Sequence, residues 1–139
     1  MSAITTIIAL PLLLVVLMTT LELGSLRVAA TRLRSAADLA VLVAVNDQDE
    51  GELLRTGTLV PAADAADVAR AMFAANLDPI ASLLAERPAA IAAGAAIQVD
   101  QRPATVHLHA TVPVRTPLFG ALFFHPITDV AVMANGGAR

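Results

Sequence analysis

The chain has 139 residues, no cysteine, and nine arginines without a lysine against twelve acids, for a net charge of −3. This excludes disulfides, thiolate zinc sites and cysteine nucleophiles, and with no basic face to neutralise phosphates it excludes nucleic acid as a partner. Hydrophobic residues make up 57%, but only four are aromatic, all Phe, so the core must be assembled from small aliphatic contacts at about 25 cal/mol per Å² and depends on its neighbours.

The first stretch, residues 3–21 (AITTIIALPLLLVVLMTTL), carries no charge, and the first ionisable side chain is Glu22. A helix needs about 20 apolar residues to cross the hydrocarbon core of a bilayer, and only a helix or a closed barrel satisfies its own backbone there. The run is therefore expected to be a membrane-inserted or filament-core helix. A cleaved signal peptide would have a basic start, a shorter apolar run and a small-residue cleavage site. A buried core helix would need more surrounding protein than this chain supplies. Pro11 lies inside the run and removes one hydrogen bond. The hydroxyls of Thr5, Thr6, Thr19 and Thr20 return to the backbone, and Glu22 marks the far interface.

Beyond Glu22 the helical pattern continues. Leu26, Ala30, Leu33, Ala37, Ala40 and Ala44 recur at intervals of four and three, the seam of a helix that packs on another element. Arg27, Arg32 and Arg34 lie mostly off it, with Arg34 one turn from Asp38 as a surface pair. One nearly continuous helix over residues 4–45 is expected, kinked at Pro11 and again near Gly24. The chain then divides into this helix, residues 1–48, and a small head, residues 49–139.

Residues 46–52 (NDQDEGE) are acidic and aperiodic, without calcium-loop spacing, and read as a solvated loop. Pro61 is placed for the first turn of a second helix, with Asp64 and Asp67 at its positive end and Val68, Met72, Phe73 and Leu77 on its apolar face. A short third helix is expected over residues 80–86, and the alanine-rich residues 89–96 fit helix or loop. From Ala96 the period changes to two: Ile97 and Val99, then, after a Gln101-Arg102-Pro103 turn, Val106, Leu108, Ala110 and Val112 alternate with polar residues. Pro113 ends that strand or sits at an edge. Residues 116–124 (TPLFGALFF) are expected to supply large core side chains. Residues 127–134 form a last strand, and residues 135–139 a loose tail. The fold class is α+β, a long N-terminal helix, a short helical segment and an antiparallel β-meander.

Together these motifs resemble a known family. ALPLLLVVLMTTLELG, followed by an Arg-dotted helix ending SAADLAVLVAV, is similar to the TadE/TadG-like minor pilins of the tight-adherence (Tad, or Flp) pilus, which are type IV pilin-like. Their pattern runs VEFALVLPLLLLLLLGIIEFGR and then an arginine-flanked QxAADAAALAA. The paired strands IQVD and TVHLHATVPVRTPLFG and the closing ITDVAVMANGGA also resemble that family's C-terminal half. By this resemblance Pro11 matches the mid-helix proline, Glu22 and Gly24 the acid and glycine of E-F-G, and Asp38 the Asp of AAD. Thr5 stands where the family usually carries a Glu that meets a neighbour's N-terminal amine.

The resemblance implies a structural subunit without enzymatic activity or cofactor. Its helix waits in the inner membrane and then packs against other pilin-like subunits, through Leu12, Leu13, Leu14, Val15, Val16 and Leu17. Prepilin peptidase and the pilus motor and platform proteins are the implied partners, and the head lies outside the cytoplasm. The arginines after the run would by themselves put the head inside. A basic leader cut off before Met1 would reconcile the two. The alternative is a singly anchored binding or scaffold module that does not polymerise. No nucleophile elbow, phosphate loop or dinucleotide fingerprint is present. His107 and His109 share one side of a strand, and His125 could add a third zinc ligand, but strand alternation alone already puts the first two on the solvent face.

Overall fold

The computed structural model describes residues 3–138, with side chains from Ile7 onward. Helix α1 spans Ala3–Asn46 as a single element that includes Pro11; at 1.5 Å per residue it is about 66 Å long, twice the thickness of a hydrocarbon core. Helices α2 (Glu50–Thr56), α3 (Ala65–Leu77) and α4 (Pro88–Gly94), with a 3-10 turn Asp78–Leu83 between the last two, lead into β1 (Ala96–Gln101) and β2 (Ala104–Arg115). A short helix α5 (Pro117–Phe123) joins β2 to β3 (Ile127–Gly137). The three strands form an antiparallel sheet in the order β1-β2-β3, so the architecture is α+β.

The second half of α1 is the core's central rod, with α3 on one side and β2 and β3 on another. Alternation along β2 buries Ala104, Val106, Leu108, Ala110, Val112 and Val114. Phe73 of α3 is the largest fully buried side chain.

Several local expectations are corrected. Residues 50–56 are helical rather than a loop, because Asp49 Oδ1 accepts the Glu52 N–H at 3.0 Å and satisfies an amide that helix starts leave unpaired. Glu50 and Glu52 face the positive end of that helix, and Gly57 closes it at φ 70. Pro61 does not open α3; it bridges Gln48, and the helix starts three residues after Ala62. The third helix is a 3-10 turn that stops at Leu83, because Leu84 turns extended to bridge Val114.

Pro113 does not end β2 but sits at an edge, where the central strand is open on one side. β1 pairs only as far as His109, so beyond it β2 is open on that side, where the Pro113 carbonyl accepts the Ala85 N–H at 2.8 Å. A residue's N and C=O point the same way across a strand, so the missing N–H faces this gap and leaves the ladder to β3 intact.

The tail is also corrected. Asn135, Gly136 and Gly137 pair with His107, Val106 and Thr105. A Cβ on Gly136 would fall 2.6 Å from Val41 Cγ1, so glycine is what lets β3 lie on α1. Residues 116–124 supply no large core side chain: Phe123 and Phe124 are 51% and 88% exposed. The buried Thr116 draws the loop's ends together, donating Oγ1–H to the His125 carbonyl at 2.9 Å, so α5 projects past the end of the sheet.

Candidate functional site

The feature without an internal explanation is the first half of α1. Leu12 and Leu13 are each 65% exposed, and Leu14, Val15, Val16 and Leu17 are exposed as well. They follow one another around every face of the helix, so no rotation of α1 would bury them on this chain. Returning six such side chains to an apolar environment is worth on the order of 10 kcal/mol. The hydroxyls of Thr19 and Thr20 donate to the carbonyls of Val15 and Val16, each at 2.8 Å, so the polar atoms here are satisfied locally. α1 is long and apolar enough to cross a bilayer.

From Ala29 the helix changes character. Leu33, Ala37, Ala40 and Ala44 are fully buried against the head, while Leu26 and Ala30 are half-buried at its margin. The buried face is wider than one residue per turn: Ala29, Ala36, Val41 and Val45 belong to it. A strict four-three count along one line misses such flanking positions.

Between the halves stands Glu22, 2% exposed. Its Oε2 accepts the backbone N–H of Leu118, 96 residues away in sequence, at 2.9 Å, and Ser25 Oγ donates to the Glu22 carbonyl. The sequence marks Glu22 as the far interface of the run and, by resemblance, as the acid of E-F-G in the assembly helix, and neither reading announces a partner so distant. Gly24 is exposed, with open space where a Cβ would go, and Pro11 is exposed within the helix. Thr5 lies in α1 but outside the residues whose side chains are described. Arg34 and Asp38 are exposed and form no ion pair with each other among the described residues.

The three histidines are not brought together. His107 Nδ1 lies 2.8 Å from Asn135 Oδ1 and its Nε2 3.6 Å from Asp100 Oδ2, on the solvent face of the sheet. His125 follows α5 beyond Arg115, eight residues further along β2, about 26 Å at strand spacing. Among the described residues no group of three or more His, Asp or Glu could hold a metal ion. An open cleft of about 570 Å³ is lined by Ser82, Leu83, Ala85, Arg115, Pro117, Pro126 and Ile127, with Ser82 as its one hydroxyl and no His, Asp or Glu among these residues.

An uncharged, all-round apolar run ending in an acid and then a small-residue packing face is a composite pattern, and it has a match. Residues 1–47 match the Tad family, described as Putative Flp pilus-assembly TadE/G-like. The match spans α1 and stops where the head's own elements begin. No curated protein and no solved structure matches the chain. The similarity therefore lies in α1, and the matched residues do not extend into the α+β head.

Proposed function

We propose that the protein is a pilin-like structural subunit of a Tad-type pilus, without catalytic activity. The Tad helix anchors it in the inner membrane with the head outside the cytoplasm. Assembly then exchanges lipid for the equivalent helices of neighbouring subunits, giving an extracellular filament or its tip or initiation complex. The observation that carries this reading is the uninterrupted exposure of residues 7–17 on a helix whose other half is firmly seated in the head. An apolar rod of that length is stable only in lipid or in a bundle of like rods. A driven step is needed to extract it, the task of pilus motor and platform proteins after processing by prepilin peptidase.

The chain has no cysteine, so Leu13→Cys introduces a single thiol at the centre of the rod. Oxidation of cells making this variant, followed by shearing, is expected to release fibres in which the protein is cross-linked to itself or to another pilin-like chain through that thiol. Sheared material free of the protein, with all of it remaining as uncross-linked chains in the membrane, overturns the proposal in favour of a non-polymerising anchor.

A further inference from the structure

Between Arg115 and Asp129 the segment TPLFGALFFHPIT contains no Asp, Glu, Lys or Arg. It forms α5 and its flanks, and α5 lies against α1. The height of that contact is set by Glu22, the residue at which the uncharged run ends, whose carboxylate holds the Leu118 N–H. About 20 residues of helix precede Glu22, one hydrocarbon thickness, so if α1 spans a bilayer, α5 is held at its surface. On α5 and its flanks Leu118, Phe119 and Leu122 are half-buried, while Phe123, Phe124 and Ile127 point outward, 51%, 88% and 51% exposed.

Phe124 adds an independent indication. It adopts φ 58, the left-handed conformation of a helix C-cap, with its N–H donated to the Phe119 carbonyl. Glycine or asparagine ordinarily takes that position, because a side chain there is crowded. A bulky aromatic held in a disfavoured conformation and turned outward is the reverse of what a water-facing loop selects, and such strain concentrates where a contact outside the chain rewards it.

We propose that α5 is an interfacial foot. Phe123 and Phe124 enter the boundary between lipid headgroups and acyl chains of the bilayer that α1 crosses, with Glu22 as the pin that fixes their depth. This rests on the membrane reading of α1 given above. The occupant is lipid rather than a second copy because the patch is continuous, through Glu22, with the level where the apolar run leaves the hydrocarbon. Aromatic rings are the side chains that settle at this depth. The foot sets how far the subunit sinks, and it must be withdrawn when the subunit leaves the membrane.

The chain has neither Trp nor Tyr, so a single Trp reports on one position. Full-length F124W, L14W and L54W are placed in vesicles of phosphatidylethanolamine and phosphatidylglycerol carrying spin labels near the headgroup or at mid-chain. Leu54 is 88% exposed on α2, at the far end of α1, and serves as the water-facing reference. The foot requires L14W to be quenched best at mid-chain, F124W to be blue-shifted and quenched best by the shallow label, and L54W to be unaffected. Adding E22A to F124W is expected to remove at least about half of the shallow quenching; F123W provides a second reporter if F124W folds poorly. If L14W is quenched while F124W and F123W both emit like L54W, the foot is wrong and the membrane reading stands. An unquenched L14W overturns both. A blue shift of F124W that grows with protein density and ignores the lipid labels means a second copy covers the patch, and also overturns the foot.

Discussion

The two halves of α1 are built from the same aliphatic alphabet and have opposite fates. In residues 7–17 the large side chains, Leu12, Leu13 and Leu14, stand half or more exposed, while in residues 29–45 the smallest, Ala37, Ala40 and Ala44, are fully buried. By size alone the leucines would gain most from burial. The difference shows that two distinct demands act on one helix. Where α1 meets α3 and the sheet, small side chains let backbones approach; in its first half the bulky side chains are left exposed.

The contrast can be broken at its core first. Phe73→Ala leaves a cavity among α1, α3 and the sheet and is expected to cost about 3–5 kcal/mol, read as loss of amide exchange protection along β2 in detergent micelles while α1 stays helical. Next, Ala40→Leu overfills the tight face and is expected to destabilise the head by about 1–3 kcal/mol, measured the same way. Gly136→Ala is expected to have an effect of similar size, since its methyl must displace Val41. Val41→Ala in the same chain should recover part of the loss, and no recovery would mean that the close approach is not what the glycine serves.

Glu22→Ala removes the acceptor of the Leu118 N–H and is expected to cost about 1–2 kcal/mol, with exchange increased in α5 and not in β1. At the other extreme, Leu13→Ala should leave head stability within about 0.5 kcal/mol, because Leu13 is 65% exposed in the half of α1 that precedes the head. A large loss of head stability in Leu13→Ala would end the division of the helix into two halves.

Much of this was legible in the residues. An uncharged run of bilayer length, a four-three seam continuing past it, and a change of period from 3.6 to 2 at Ala96 are each local signals, and they led to a long helix, its inward stripe and an antiparallel meander. The same local reading failed at the tail, at residues 50–56 and at residues 116–124. Asn135-Gly136-Gly137 has the composition of a loose end, yet the close approach to Val41 makes it strand. For Pro113 the edge alternative holds, because β1 stops short and leaves its missing N–H without a duty. TPLFGALFF has the composition of a core, but Thr116 ties off its ends and Phe123 and Phe124 are left outward.

By itself the sequence determined the long helix, the second half's packing face and the change to strands at Ala96, because periodicity and uncharged length depend on near neighbours along the chain. Only the tertiary structure decided that Glu22 meets Leu118, that Gly136 rests on Val41, and that Phe123 and Phe124 face outward at the foot of the head. Those outcomes depend on residues distant in sequence sharing one place, and a hydrogen bond or a steric limit of that kind leaves no periodic trace in either partner.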